Sequence, residues 1–296
     1  MIELICVVNL PSTFKSPFIL PPASMRRDAE NKQIDLSEGT ESDQVTVLNL
    51  LNILDDFCRK GKRGQFSGYC KRNFINTPTI NMISDLRRNI TTELKLIGFD
   101  DPNYCNNWYN RNGGRNNLPY LQAAIAAGLY PNIASRQMGE MNFRTLSDQK
   151  AKIHLSSVNS CRGQPLSRKS QMLEYIAYGE VVKGVINFTL SQTTHLASAV
   201  PIFLLCGKFR IRPAYVNGKN VSNMAIISVD DLITFKCNRE SAFALAILRR
   251  RLDDIILHVV SSPTDGMKSL DDKEWQALST LDVVLKSAFQ SSPGRL

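Results

Sequence analysis

The sequence predicts an α+β protein in which a helical bundle is followed by a five-stranded β-barrel of the OB type and by C-terminal helices. Before residue 130, apolar residues recur at the spacing of one helix face. After Pro131, short segments rich in β-branched and aromatic residues alternate with polar breaks, which is typical of strands. An apolar segment between the later strands and a helix at the end favour a small closed or partly open barrel.

Three segments of the first half predict helices. The segment DQVTVLNLLNILDDFCRK, residues 43–60, has an acid at its start and two cations at its end, which suits the helix dipole. The segment at residues 76–101 has Pro78 near its start and Gly98 where its apolar stripe stops. The segment LPYLQAAIAAGLY, residues 118–130, is rich in Ala and Leu.

Other parts of the first half predict exposed structure. Residues 24–44 are almost all polar and indicate a helix end and a loop. Residues 59–72, RKGKRGQFSGYCKR, hold six cations and no acid. A solvated loop between helices is favoured there over a loop that contacts phosphates, because charge runs are usually solvated. Residues 103–117 are rich in Asn and Gly and predict a long irregular loop.

The second half predicts strands and then helices. Residues 197–207 are apolar and indicate a short buried helix, while residues 241–260 predict an amphipathic helix capped by Ser241. A last helix is expected near residues 272–289. The predicted strand segments are residues 132–138, 142–146, 150–155, 172–182, 185–196 and 224–237.

The charge balance points to a polyanionic partner. The chain has 36 Lys and Arg against 27 Asp and Glu, a formal net charge of +9. Composition does not separate nucleic acid from an anionic membrane, but no segment is apolar for long enough to span a bilayer. Residues 1–10 make a poor signal peptide because they begin without Lys or Arg and contain Glu3. We therefore expect an intracellular protein, cytoplasmic or nuclear, without a membrane partner.

The motifs of several enzyme classes are absent from the sequence. The seven cysteines are scattered, with no CxxC pair, which favours unpaired thiols and no metal site. The nucleophile pattern G-x-S-x-G does not occur. The phosphate-binding patterns G-x-x-x-x-G-K-[ST] and G-x-G-x-x-G are also missing. We therefore expect no catalytic site and no cofactor on this chain.

A local basic patch carries the candidate binding residues. Between residues 144 and 169 the only acid is Asp148. Hydroxyl, imidazole and cationic side chains can all donate to phosphate or to a ribose hydroxyl. Alternatively, SSVN is a turn in which Ser156 caps local backbone and His154 is satisfied at the barrel rim. The residues alone do not separate these readings. The candidates are Arg144, Lys150, Lys152, His154, Ser156 and Ser157, with Arg162, Arg168 and Lys169 in the same patch.

An ordered set of short motifs resembles the C-terminal region of DEAH/RHA-type RNA helicases. The most specific are GLYPNIA at residues 128–134 and KIHLSSVN at residues 152–159. The others are KSPF at 15–18, residues 68–90, LIGF at 96–99 and residues 172–207. The resemblance implies a partial helical ratchet (HA2) domain at residues 1–127. It also implies an OB fold at 128–260 and a helical tail at 261–296.

The same resemblance implies a function. In that family the ratchet and OB fold lie over an RNA channel formed with two RecA-like ATPase domains, and Lys152, His154, Ser156 and Ser157 match an OB-fold loop that touches RNA. Leu155 departs from the Pro or Lys common there. We expect an RNA-binding module that guides single-stranded RNA, with RecA-like helicase domains or protein cofactors as further partners.

The resemblance also limits the activity expected of the chain. The Walker A and DEAH motifs that use ATP and Mg²⁺ in full-length family members lie before the point where this sequence begins. We therefore expect a truncated or separately encoded fragment that does not hydrolyse ATP alone. The alternative from another class is a protein-interaction fragment that docks a partner or the ribosome through its OB fold.

Overall fold

The structure is a computed structural model that describes residues 16–99, 117–137, 140–160, 174–184, 187–216, 219–265 and 269–290. The predicted loop at 103–116 and the cations Arg162, Arg168 and Lys169 lie outside the described residues. Eight α-helices lie within them. They are α1 (Arg26–Ser37), α2 (Asp43–Arg59), α3 (Arg63–Arg72), α4 (Thr77–Leu96), α5 (Leu118–Leu129), α6 (Val200–Leu205), α7 (Arg239–Ser261) and α8 (Asp272–Gln290).

Within the same described residues, eight strands form two separate sheets. Five of them close into a barrel in the order β1-β2-β3-β5-β4, with β3 and β5 parallel and the other pairs antiparallel. The last three form an antiparallel sheet in the order β6-β7-β8. The strands are β1 (Ile133–Arg136), β2 (Phe143–Thr145), β3 (Lys150–Ile153), β4 (Glu174–Lys183), β5 (Phe188–Leu196), β6 (Phe209–Val216), β7 (Lys219–Val229) and β8 (Ile233–Asn238).

Helix α2 is the centre of the helical half. Ser42 caps it, because its Oγ accepts a hydrogen bond from the Val45 N–H at 3.1 Å. Leu50 and Leu51 are fully buried and join a core that continues through α5 into the barrel and the second sheet. The helices predicted at residues 43–60, 76–101 and 118–130 are thereby confirmed.

One helix forms where the sequence predicts a loop, and another extends over much of a segment that the sequence predicts as a helix end and a loop. Helix α3 occupies most of the basic run, so the prediction of a loop at residues 59–72 is wrong over 63–72. Phe66 and Cys70 lie one turn apart and are buried, and the Phe66 ring packs edge-on to Phe57 at 5.6 Å. Two apolar residues are too few to give a periodic signal, yet they anchor the helix while its cations stay on the outer side. Helix α1 has a similar origin, since Asn49 on α2 donates to the Leu36 carbonyl at 2.9 Å.

The barrel and the second sheet divide the chain differently from the predicted strand order. The barrel is complete at β5, and α6 confirms the short buried helix predicted at 197–207. The predicted strand at 224–237 is two strands, because Asp230 and Asp231 adopt positive φ values of 48° and 59° and turn the chain between β7 and β8. Helix α7 begins earlier than predicted, since Asn238 rather than Ser241 caps it by accepting from the Glu240 N–H at 2.8 Å.

A polar tie joins the last two helices. His258 on α7 lies between Glu274, with 3.3 Å from Nδ1 to Oε1, and Ser269, with 3.1 Å from Nε2 to Oγ. Glu274 also accepts from the Asp271 N–H at 2.8 Å, the capping arrangement expected at the start of α8. The apolar contact beneath involves Leu252 and Leu270. Ser269, His258 and Glu274 therefore act as a clamp between α7 and α8. The Glu274 carboxylate also caps the start of α8.

Replacing His258 with Ala should lower the free energy of unfolding by about 1 kcal/mol, because Glu274 and Ser269 lose their hydrogen bonds to the half-exposed imidazole. Urea unfolding followed by circular dichroism measures this change. Ser279→Ala, on the exposed side of α8, is the matched control and should change stability by less than about 0.5 kcal/mol. Equal midpoints for the His258→Ala variant and the parent would contradict the clamp.

Candidate nucleic-acid interface

Strand β3 leads directly into the loop at residues 154–160, the HLSSVNS loop. The His154 N–H donates to the Leu190 carbonyl on β5 at 2.8 Å, which ends the strand pairing. Two turns follow, with the Ser157 N–H donating to the His154 carbonyl and the Ser160 N–H to the Ser157 carbonyl, both at 3.0 Å. The loop therefore consists of two compact, hydrogen-bonded turns at the end of strand β3 of the barrel.

His154 and Ser156 form a local pair within the HLSSVNS loop. The Ser156 N–H donates to His154 Nδ1 at 3.2 Å, and the Ser156 Oγ lies 2.7 Å from the same nitrogen. Because Nδ1 accepts from a backbone N–H, the neutral ring carries its proton on Nε2. Both side chains are half-buried, and Leu155 between them is 59% exposed. This places a ring N–H donor beside an exposed apolar side chain.

Ser157 faces the other way. It is only 5% exposed, its Oγ lies 2.7 Å from Thr193 Oγ1, and it accepts from the Asn159 N–H at 3.1 Å. A contact between this hydroxyl and RNA would require it to leave these internal bonds. The expected hydroxyl pair is therefore split, with Ser156 near the surface and Ser157 holding the loop to β5.

Asp43, at the first position of α2, anchors the HLSSVNS loop. Its carboxylate accepts from the Val158 N–H at 2.8 Å, from the Thr193 N–H at 2.7 Å and from the Ser157 hydroxyl. Burial raises the pKa of Asp43, and these hydrogen bonds act in the opposite direction. The positive end of the α2 dipole also favours the carboxylate. The sequence showed Asp43 only as a helix-start acid.

The neighbouring residues of α2 extend this attachment along β5. Ser42 pairs with Thr194 as an isolated bridge, and the His195 N–H donates to the Glu41 carbonyl at 2.9 Å. Gln44 donates through Nε2 to the Gln192 carbonyl at 2.7 Å. The start of α2 is thus joined to consecutive residues of one barrel strand, so the helical half and the barrel hold the HLSSVNS loop between them.

A cleft of about 750 Å³ opens between α1 and the HLSSVNS loop. Gln33 on α1 donates to the Ser156 carbonyl at 2.9 Å and closes one side. Arg26 and Arg27 are exposed along the cleft, and two acids, Glu30 and Glu41, share its lining. Sequence reasoning missed these arginines because they are more than a hundred residues from the loop in the chain. The pair of cations in MRRD was the only local signal.

The cations of the basic patch that the structure describes lie on the outer face of the barrel. On β3, Ala151 is buried, whereas Lys150 and Lys152 are exposed on the opposite face. Arg144 is the register partner of Lys150 across β2 and β3. Arg144 donates to Asp148 at 2.9 Å, so part of its charge is compensated. Neither lysine forms an ion pair with any described residue, which leaves both free to meet an anion.

The structure therefore brings the six predicted site residues into one neighbourhood with unequal exposure. Lys150, Lys152 and Arg144 form the cationic face of β2 and β3, and His154 with Ser156 continues it into the loop. Only Ser157 lies inside. In the described part of the chain, no cluster of His, Cys, Asp or Glu could hold a metal ion. No described helix has the length and apolar character needed to cross a membrane.

Comparison with known proteins agrees with this geometry. A family model of the oligonucleotide/oligosaccharide-binding (OB) fold matches residues 121–208, which run from α5 through the barrel to α6. The chain is 23% identical over 300 residues to the ATP-dependent DNA/RNA helicase DHX36 of Mus musculus, covering 96% of this chain and 27% of the relative. Residues 121–208 therefore match an OB fold, and the chain as a whole is similar to part of DEAH-type helicases.

Two further relatives agree with this assignment. The ATP-dependent RNA helicase DHX29 of Mus musculus is 24% identical over 292 residues, covering 95% of this chain and 20% of that protein. The DExH-box ATP-dependent RNA helicase DExH1 of Arabidopsis thaliana is 30% identical over 172 residues, covering 57% of this chain and 16% of that protein. The chain thus spans between 16 and 27% of the length of these relatives.

Proposed function

We propose that this chain is an RNA-binding module of a DEAH/RHA-type RNA helicase, and that it guides single-stranded RNA over the HLSSVNS loop. The observation that carries the proposal is the continuity of one surface. Lys150 and Lys152 point outward from β3, and the same strand leads into the His154 and Ser156 pair. Lysines supply charge to the phosphates, while a ring N–H and a hydroxyl supply directional hydrogen bonds.

The attachment of the HLSSVNS loop supports a guiding role. Because Asp43 holds Val158 and Thr193 in place, the loop needs little ordering when it meets a ligand. The cleft beside α1 extends the surface, and Arg26 and Arg27 in its lining can contact further phosphates. An RNA strand that enters along β3 would thus pass from the lysines to the HLSSVNS loop and then to the arginines of α1.

The relatives are named as ATP-dependent helicases, whereas these 296 residues contain no P-loop pattern. The role we propose for this chain is therefore to hold and direct the strand, with ATP hydrolysis supplied by RecA-like domains. ATP and Mg²⁺ would be bound there and not by the residues described here.

Replacing Lys150 and Lys152 with Ala should weaken binding to fluorescein-labelled oligo(U) about tenfold or more at low salt. The slope of log K against log salt concentration should fall by about 1.4, since each phosphate contact to a single strand contributes about 0.7. Fluorescence anisotropy across a salt series measures both. A double variant with Arg251→Ala and Lys273→Ala removes two exposed cations from α7 and α8 and should leave the slope unchanged. Equal slopes for the β3 variant and the parent would count against this surface.

A second candidate function is protein docking at the same cleft, since Glu30 and Glu41 lie there beside Arg26 and Arg27. Mixed charge suits a protein surface better than a polyanion. If the cleft docks a protein, the folded chain would bind neither oligo(U) nor a matched duplex. It would still recover protein partners after nuclease treatment, with no RNA obtained by crosslinking.

A further inference from the structure

A second concave surface lies on the β6–β8 sheet, outside the barrel. A cleft of about 250 Å³ opens between β6, β7 and the start of α7. The ring of Phe243 on α7 borders it and is 48% exposed. The other apolar lining residues are Ile211, Pro213, Met224 and Ala225. The cleft can therefore accept an apolar side chain, and the flexible Met224 can adapt to its shape.

Two arginines line this cleft. They are Arg212 and Arg239, and the Arg239 guanidinium lies over the Phe243 ring at 5.6 Å from its centroid. Lys236 on β8 is exposed and lies in the same register row as Arg212, but this row faces the opposite side of the sheet from Ile211 and Ala225, so Lys236 does not line the cleft.

The acids near the cleft compensate Arg212 more than Arg239. Asp231 binds both Arg210 and Arg212, with 2.9 Å from its Oδ1 to Arg212 Nη2. Glu240 lies next to Arg239 in the chain, but Arg239 forms no ion pair with any described residue. Arg239 is therefore available to an acidic ligand, and the pairing with Asp231 shows that the Arg212 guanidinium can bind a carboxylate.

Strand β6 also offers backbone hydrogen-bonding groups. The sheet order places β6 at an edge, and in the described part of the chain it pairs with β7 only. An edge strand can pair with an extended peptide, and the side chains of that peptide then enter neighbouring pockets. The exposed Arg210 and Arg212 lie along this edge and would meet alternate side chains of such a peptide.

We propose that the edge of β6 and the adjoining cleft dock a short, extended, acidic segment of a protein partner. One apolar side chain of the segment enters the cleft, and carboxylates beside it pair with Arg212 and Arg239. A peptide fits better than nucleic acid for two reasons. The cleft walls are mainly aliphatic, and the one aromatic face is already covered by Arg239, which leaves little for a base to stack on. Carboxylates match the guanidinium fork directly.

The test uses the full chain and fluorescein-labelled heptapeptides of the form Asp-Glu-Asp-X-Asp-Glu-Asp, where X is Leu, Met, Phe or Gly. Anisotropy should show binding of the Leu, Met or Phe peptides and weaker binding of the Gly peptide. Arg239→Glu should weaken binding about tenfold or more, and Phe243→Ala should remove the preference for an apolar X. Arg251→Glu makes the same charge change at another exposed position of α7 and should leave binding unchanged. Circular dichroism confirms that each variant is folded.

Three outcomes would overturn this proposal. In the first, no peptide binds at concentrations up to about 1 mM, the level of a very weak complex. In the second, Arg239→Glu and Arg251→Glu weaken binding equally, so the attraction is only net charge. In the third, oligo(U) displaces the peptides and itself loses affinity in Arg239→Glu, which would make the surface a nucleic-acid site. The outcome is independent of the salt series on β3, because Lys150 and Lys152 lie on the barrel, whereas Arg239 and Phe243 lie on α7 beside the second sheet.

Discussion

Replacing Asp43 with Ala should lower the free energy of unfolding by about 3 kcal/mol or more and release the HLSSVNS loop from α2. The substitution leaves the N–H of the buried Thr193 and the N–H of the half-buried Val158 without an acceptor. Each unsatisfied buried donor costs about 1–3 kcal/mol. The loss should also weaken oligo(U) binding, because a loop that must be ordered on binding costs affinity.

Urea unfolding measures the stability change, and amide hydrogen exchange at Val158 and Thr193 reports directly on the loop. Asp56→Ala is the control, since Asp56 is an exposed acid on the same helix whose ion pair with Arg59 contributes little. Asp43→Asn separates charge from hydrogen bonding, because an amide keeps one acceptor oxygen but turns an NH₂ group toward the backbone donors. If Asp43→Ala left both N–H groups as protected as in the parent, the anchoring role would be refuted.

The helices and strands that could be predicted are those that bury a regular apolar face. Helix α2 carries Leu48, Leu51 and Val45 on one buried side, and its sequence period follows from that burial. The barrel strands are recognisable because inward and outward residues alternate, as Ala151 does with Lys150 on β3. In both cases the local pattern and the tertiary environment agree.

The elements that were missed depend on few or distant contacts. Helix α3 rests on Phe66 and Cys70, which a basic run of fourteen residues conceals. Helix α1 has almost no apolar face and is held in place by polar contacts such as that of Gln33 to the Ser156 carbonyl. A sequence window cannot register a partner 123 positions away.

The candidate site also combines features that follow from local sequence with features that depend on distant contacts. Charge density identified Lys150 and Lys152, since their exposure follows from the strand alternation itself. It could not distinguish Ser156 from Ser157, because adjacent residues in a turn point in different directions and only β5 decides which one is buried. The sequence did not identify Asp43 as the residue that anchors the loop, because its hydrogen-bond partners are main-chain N–H groups, which have no sequence signature.

Gly207 sits at the point where α6 passes into the second sheet, and the chain there is held from three sides. Its φ is +43°, a conformation that L residues rarely adopt. A Cβ at this position would lie 2.3 Å from Asp230 Oδ2 and 2.7 Å from both the Tyr130 hydroxyl and Val229 Cγ1. Tyr130 and Asp230 bond to each other, and Asp230 also accepts from the Lys208 N–H at 2.9 Å. These side-chain ends therefore have little freedom to move.

Gly207→Ala should consequently lower the free energy of unfolding by about 3 kcal/mol or more, from backbone strain together with the broken Tyr130 and Asp230 contact. Urea unfolding measures it, and the Tyr130 hydroxyl provides a local check. Its pKa is raised by burial and by the bond to Asp230, so the phenol should titrate at lower pH in a folded variant. Gly64→Ala is the matched control, because a Cβ there meets nothing within 4 Å. The higher helix propensity of Ala should raise the free energy of unfolding by about 0.5–1 kcal/mol. Were Gly207→Ala as stable as the parent, the close contact at this junction would be refuted.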